Sequence, residues 1–356
     1  MKKKFSHFKN LSKIYRVRGI EKTRHNSIRL DFNERVSPFS NSFIKSIRKK
    51  INSSSLSAYP EVEKLYNLLA KKLKLKKENI LLTPGSDTGM RHCFEVFVKS
   101  KSKIITLDPT FGMVDVYAKL FEAKQIKINF NKNLQLNLNK LINSINKSVS
   151  MIMFANPNSP TGTIIKNQDI IKILKKAKKN NCYVIIDEAY FGFYKWSAIS
   201  LIKKFNNLII LRTFSKAYGL AGIRSAYIVS NKKIMSQLYK FRTMYEINSI
   251  GILITKEVMK SNKIFNQYIN QTKIGKKYLL SQLKYLGLKS HKSFSNFILV
   301  DFKSKKRQLR TFKLLKKNNI LVRFAPKIDA CKNYLRFTLG PKSFMQDLIR
   351  VLKKVN

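Results

Sequence analysis

Apolar and polar positions follow two different periods along this chain. Between residues 61 and 76, Val62, Leu65, Leu68, Leu69, Leu73 and Leu75 recur mostly every three or four positions, which predicts a helix with one apolar face. A similar spacing returns over 167–180. There Ile170, Ile171, Ile173, Leu174 and Ala177 share one side, and Asn167 is expected to cap the first turn. Elsewhere the apolar runs are short and rich in β-branched residues. KIITLD (103–108), SMIMFANP (150–157), YVIIDEA (183–189), NLIILRT (207–213) and SAYIVS (225–230) read as strands. YVIIDEA is apolar almost throughout, as in a sheet covered on both faces. Strands alternating with helices from about residue 80 imply an α/β domain, with a mostly parallel central sheet flanked by helices.

Beyond residue 231 helical patterning dominates to about 286, and shorter strands follow at 295–302, 320–324 and 334–339. This predicts a smaller α+β domain with the amino-terminal segment packed on it. The expected division is 46–240 for the large domain, and 1–45 with 241–356 for the small domain and its N-terminal arm. No internal repeat or long linker interrupts the pattern.

Length and composition agree with a folded, two-part protein. The 356 residues exceed what one small core needs, and 44% hydrophobic with 11% aromatic residues suits a globular chain. No run of 18 or more apolar residues is present, so no membrane span is expected. The basic start, MKKKFSHFKN, has no apolar stretch after it, so no secretory signal is expected. Cys93, Cys182 and Cys331 form no CxxC pair and imply a reducing, cytoplasmic setting. His7, His25, His92 and His291 lack ligand spacing, and no metal site is expected.

The net charge of +53 raises the question of nucleic acid. The lysine runs in IRKK, KKLKLKKEN, ILKKAKKNN and VLKKVN fall on the polar sides of amphipathic helices, and no zinc finger, recognition helix or aromatic RNA signature accompanies them. A specific nucleic-acid partner is therefore not expected. The charge would steer phosphorylated or carboxylate substrates toward the surface.

Chemistry concentrates just past the strands. In open α/β sheets ligands bind at the carboxyl ends of the strands. SMIMFA is followed by NPNSPTGT, YVII by DEAY, and NLIIL by RTFSK and then GLAGIR. Asp187 ends an apolar run, where a carboxylate needs a partner to offset its desolvation. Lys216 lies past the next strand. Alone, the acid reads as a helix cap and the lysine as a solvated charge. Together they match the need of pyridoxal phosphate for a Schiff-base lysine and an acid at its pyridinium nitrogen. Gly85, in the turn PGSD between a strand and a helix, would bare backbone N–H groups to a phosphate. Thr213 and Ser215 add hydroxyls, and Arg224 adds a fork of donors.

PGSDTG (84–89), DPTFGM (108–113), NPNSPTGT (156–163), DEAY (187–190), SKAYGLAGIR (215–224) and YLRFTLG (334–340) carry a resemblance that spans nearly the whole chain. The chain resembles the fold-type I pyridoxal-phosphate enzymes of the class I/II aminotransferases, and among them the histidinol-phosphate aminotransferase-like proteins.

The resemblance implies a role for each motif residue. Lys216 would hold pyridoxal 5′-phosphate as a Schiff base and shuttle the substrate's proton. Asp187 would bind the ring nitrogen and Tyr190 the phenolic oxygen. Ser86 and Asp87 would offer backbone amides to the phosphate, completed by Thr213, Ser215 and Arg224. Phe111 stands where the family commonly stacks a tyrosine on the ring. Tyr59, in AYPE, would reach the phosphate of a neighbouring subunit, which implies a homodimer with shared active sites. Arg336 would clamp the substrate α-carboxylate, and Arg323 would face a distal phosphate. Asn33 and Glu34 resemble a turn that lies over the site, with Arg35 in place of its second asparagine. Tyr245, Glu246 and Asn248 fall where the family approaches the substrate side chain. The family usually has asparagine before the proline of its PTG motif. Here that residue is Ser159; either its hydroxyl or the neighbouring Asn158 would take the contact, and Asn158 is the favoured of the two.

The implied reaction moves an amino group from a small donor, typically glutamate, to an oxo acceptor. Imidazole-acetol phosphate is the leading acceptor, with another small phosphorylated ketone or an aromatic 2-oxo acid as alternatives. A decarboxylase of a phosphorylated amino acid would share every motif. A basic nucleic-acid-binding protein on an old enzyme scaffold is disfavoured by the intact Asp187–Lys216 pair.

Overall fold

The computed structural model describes residues 14, 24–260, 262–325 and 328–355. The basic start MKKKFSHFKN, with His7, and most of the arm expected before residue 24 lie outside the described residues.

A 3-10 turn (Arg24–Asn26) leads into β1 (Ile28–Arg29), followed by α1 (Asn41–Arg48), α2 (Ser54–Ser57) and α3 (Glu63–Leu73). The large sheet is then laid down by β2 (Ile80–Thr83), β3 (Lys103–Asp108), β4 (Lys124–Asn129), β5 (Val149–Ala155), β6 (Tyr183–Asp187), β7 (Leu208–Thr213) and β8 (Ala226–Ser230). Between and after these strands come α4 (Ser86–Phe97), α5 (Gly112–Leu120), α6 (Leu138–Asn143), α7 (Asn167–Lys179) and α8 (Lys232–Leu238). The spatial order is β2-β8-β7-β6-β5-β3-β4. Neighbours from β4 through β7 pair in parallel, and β8 runs antiparallel to both β7 and β2.

Both faces of this sheet are covered, which is why its inner strands β5, β6 and β7 are apolar along most of their length. Leu208 and Ile210 pack on one side with Leu65 and Leu69 of α3 and Ile173 and Leu174 of α7. Ile209 and Leu211 pack on the other with Met90 and Phe94 of α4, Val114 of α5 and Leu238 of α8. Burying such a side chain contributes roughly 1.5–3 kcal/mol before chain entropy is set against it.

The second core follows α9 (Ser249–Lys260) and α10 (Asn262–Tyr285). It is built on β9 (Lys289–Ser290), β10 (Phe297–Asp301), α11 (Lys305–Lys317), β11 (Ile320–Leu321), β12 (Arg323–Phe324), β13 (Tyr334–Thr338) and α12 (Lys342–Leu352). Four of these strands form an antiparallel sheet in the order β12-β13-β10-β9. β1 pairs in parallel with β11, so the amino-terminal segment is stitched to this part of the molecule. Among the described residues no helix is long and apolar enough to cross a membrane.

Two local expectations are corrected. The run ILVRF is two short strands with different partners, β11 on β1 and β12 on β13. Asn167 does not cap α7: the backbone is still extended at Lys166, which holds the cap position without a side-chain bond, and Asn167 is already helical.

Candidate active site

A cleft of about 850 Å³ opens at the carboxyl ends of β5, β6 and β7 and faces β12 and β13 across the gap. Asp187, the last residue of β6, lies level with Ala155 of β5 and Leu211 of β7, which sets its carboxylate at the cleft floor. It is buried and accepts a hydrogen bond from the Ala189 N–H (2.9 Å). Burial raises its pKa to about 6, against the effect of that bond and of Lys216. The next residue, Glu188, turns away into a buried ion pair with Arg212 (2.9 Å) and fastens the turn after β6.

Lys216 sits in the loop after β7 and is partly buried. Its Nζ donates to the carbonyl of Phe32 (2.8 Å). Burial, helped by the positive charges of Arg336 and Arg224, lowers its pKa to about 8. Asp187 and Lys216 line the same cleft.

One end of the cleft gathers a positive-φ glycine, two hydroxyls and a guanidinium. Gly85 holds φ at +96° before the first turn of α4, and a Cβ there would collide with the Arg224 guanidinium. Ser86 and Asp87 begin α4 and line the cleft beside Arg224, Thr213 and Ser215. Thr213 Oγ1 donates to Ser215 Oγ (3.0 Å) and accepts from the Ser215 N–H (3.1 Å), which fixes both hydroxyls. The Asp87 carboxylate is held by the Tyr117 hydroxyl (2.9 Å).

The walls complete the site. Ala189 and Phe111 line it, Phe111 from the residue before α5. The buried Tyr190 hydroxyl donates to Ser159 Oγ (3.3 Å) and accepts from Asn33 Nδ2 (2.9 Å). Asn33 also takes a backbone bond to Thr338 Oγ1 (3.0 Å) and accepts from Asn296 through its carbonyl (3.0 Å). Arg336 enters from β13 and Arg323 from β12. Arg336 donates through Nη2 to the Asp31 carbonyl, while its Nε is buried without a partner. No carboxylate among the described residues pairs with Arg224, Arg323 or Arg336.

Some expected residues lie elsewhere. Asn158 is buried behind the cleft, where its Nδ2 donates to the Pro109 carbonyl (3.1 Å) and to Thr161 Oγ1 (2.9 Å). Those bonds direct it away, and Ser159 is the residue that meets Tyr190. Tyr59 is exposed, stacked on Tyr245 (4.3 Å between centroids), and does not line this chain's own cleft. Glu246 is paired with Arg242 (3.0 Å) and accepts from the Tyr66 hydroxyl (3.0 Å). Asn248 Oδ1 accepts from the Gly251 N–H (2.7 Å). Arg35 packs between Phe39 and Tyr268, 4.5 and 4.4 Å from their rings.

Two cleft residues had no signal in the sequence. Phe32 acts through its carbonyl, which side-chain identity cannot reveal. Arg24 lies over the Phe32 ring (4.3 Å) and pairs with Asp31 (2.9 Å) and Glu34 (2.7 Å).

The aminotransferase class I and II family matches residues 28–353. The histidinol-phosphate aminotransferase of Thermoanaerobacter sp. (strain X514) is 34% identical over 331 residues, 92% of each chain. That of Buchnera aphidicola subsp. Cinara cedri (strain Cc) is 36% identical over 334 residues, 91% of each chain. The fold is shared with the histidinol-phosphate aminotransferase from Sinorhizobium meliloti in complex with pyridoxal-5′-phosphate, at a TM-score of 0.86, 21% identity and coverage of 99% and 98% of the two chains. It is also shared with the L-threonine-O-3-phosphate decarboxylase from Porphyromonas gingivalis, at 0.78, 22%, 92% and 98%. With its buried acid and amine in one cleft at the strand ends, the chain belongs to the class I and II aminotransferases.

Proposed function

We propose that this protein is a pyridoxal-phosphate-dependent aminotransferase that exchanges an amino group between glutamate and the histidinol phosphate/imidazole-acetol phosphate pair. The observation that carries this reading is the shared cleft of Asp187 and Lys216, with Arg224, Arg323 and Arg336 around it, none paired with a carboxylate among the described residues.

The residues present fit the cofactor. The Gly85 cradle against Arg224 suits a phosphate, and the desolvated Asp187 carboxylate suits a protonated ring nitrogen. Bound there, pyridoxal phosphate supplies an electron sink for the carbanion left when the substrate loses its α-proton. Asp187 would keep the ring-nitrogen proton in place. Tyr190, positioned by Asn33 and Ser159, would hydrogen-bond the phenolic oxygen, and Phe111 would lie against the ring. Ser86, Asp87, Thr213, Ser215 and Arg224 would hold the phosphate.

Arg336, with its free Nε, grips the substrate α-carboxylate and sets the α-hydrogen toward Lys216. Lys216 takes that proton: an amine with a pKa of about 8 is partly deprotonated near neutrality. Arg323, at the cleft mouth, takes the distal phosphate. Tyr59, exposed on this chain, reaches the phosphate end of a second copy's cleft, so the working unit is a homodimer. The three free, buried cysteines suit the cytoplasm.

A half-reaction tests the reading. Glutamate or histidinol phosphate alone should bleach the visible band of the holoenzyme and leave the cofactor in its amine form, and Lys216→Ala should stop the change. Release of carbon dioxide from a phosphorylated amino acid, without that conversion, would instead mark a decarboxylase.

A further inference from the structure

A second cavity, of about 420 Å³, lies behind the loop that carries Ser159. It is bounded by residues 163–166 on one side and by His291, Lys292 and Phe294 on the other. Its size falls within the range of small-molecule sites. We propose that it binds a compact aromatic carboxylate that carries a ring N–H or O–H, at a site distinct from the catalytic cleft.

Three features set that chemistry. Asn158 is 2% exposed, and its Oδ1 is buried with no partner although its Nδ2 is fully engaged. An amide oxygen only accepts, so an occupant must bring a donor. His291 Nε2, on the same cavity, is also buried without a partner. The walls between are apolar: Leu107, Leu134, Leu136 and Ile165 line them. At the rim stand Lys166 and Lys292, both exposed, with Lys292 lying over the Phe294 ring (5.3 Å). Lys166 also precedes α7, a 13-residue helix whose positive end favours an anion near its first turn. The one acid on the cavity, Asp169, is paired with Lys172 (3.3 Å). An anionic group at the rim, a flat body along the leucines and a donor at Asn158 fill these demands together. The proposal does not depend on the transamination reading, because the test measures binding.

The holoenzyme is titrated calorimetrically with 4-hydroxyphenylacetate, and with phenylacetate, which lacks only the donor. The hydroxylated probe should bind about tenfold more tightly, the size expected when a buried acceptor gains its donor. Leu136→Trp, which fills the cavity, should weaken it at least about tenfold, and Arg336→Ala in the catalytic cleft should leave it unchanged. Should Leu136→Trp fail to fold, the exposed double variant Lys166→Glu/Lys292→Glu should show the same loss. Absence of binding at about 10 mM, where an interaction of only a few kcal/mol would register, would overturn the proposal and leave the cavity to water. So would equal affinity for the two probes, or binding that disappears with Arg336→Ala and survives the cavity variants.

Discussion

Arg323 and Arg336 are register partners on the adjacent antiparallel strands β12 and β13, so two guanidinium groups reach the cleft from one face of the small sheet. Like charges directly opposite each other destabilise a sheet. Burial, with Arg323 adding to it, lowers the Arg336 pKa to about 10. The arrangement is relieved by a molecule with two anionic groups, such as an α-carboxylate or phosphate at either end.

Arg323→Ala should therefore separate the two half-reactions. Its kcat/KM for a phosphorylated substrate should drop about 10- to 100-fold, or about 1.4–2.8 kcal/mol, while that for glutamate stays within about threefold. Equal losses on both substrates would remove Arg323 from the distal-phosphate role.

Asp187 gives a pH-dependent stability test. Its pKa rises from 3.8 to about 6 in the fold, so the folded chain binds the proton more tightly than the unfolded one. That contribution is complete below 3.8 and is lost as pH rises through 6, leaving a buried charge at neutrality that the Ala189 N–H and Lys216 offset only in part. Asp187→Asn should raise the melting temperature of the cofactor-free protein at pH 7.5, by the equivalent of about 1–3 kcal/mol, and do little at pH 4, while abolishing turnover. Thermal melts at the two pH values decide it.

Lys216 should set the pH dependence of cofactor capture. The neutral amine is the nucleophile, so the loading rate should climb through about pH 8 and level off above it. Arg336 is among the charges that lower this pKa, and Arg336→Ala should move the midpoint upward. A midpoint that stays put would remove Arg336 from the charges that set it.

Asn158 and Ser159 should behave differently although they are neighbours. Asn158→Ala removes two buried hydrogen bonds and should cost about 1–3 kcal/mol in a denaturant melt, with the cofactor spectrum kept. Ser159→Ala should barely change the melt and should shift the cofactor band, because its hydroxyl meets Tyr190.

Gly85→Ala places a Cβ on the Arg224 guanidinium at a backbone angle that disfavours any side chain. Weaker binding of pyridoxal phosphate, by about tenfold or more, is expected from equilibrium titration of the cofactor-free chain.

What could be read from the sequence follows physical context. β6 and β7 were legible because both of their faces are covered, which leaves apolar runs ending at a conspicuous Asp187 and, three residues past β7, Lys216. β4 was not, because it sits at the sheet edge and its KQIKIN leaves most side chains partly in solvent. The motif residues of the cleft were nearly all legible. The exception, Asn158, depended on which of two adjacent side chains the loop turned inward. Backbone groups such as the Phe32 carbonyl, and ion pairs such as Arg24 with Asp31 and Glu34, leave no pattern of residue types to find.

Asn33 is bonded at once to the Tyr190 hydroxyl, to Thr338 at the end of the small sheet, and to Asn296 just before β10. The seven-stranded and four-stranded sheets are thus joined through one residue, by its side chain and both of its backbone polar groups. Any shift of the four-stranded sheet against the seven-stranded one would move the donor on that phenol, and the acidity of Tyr190 would register it.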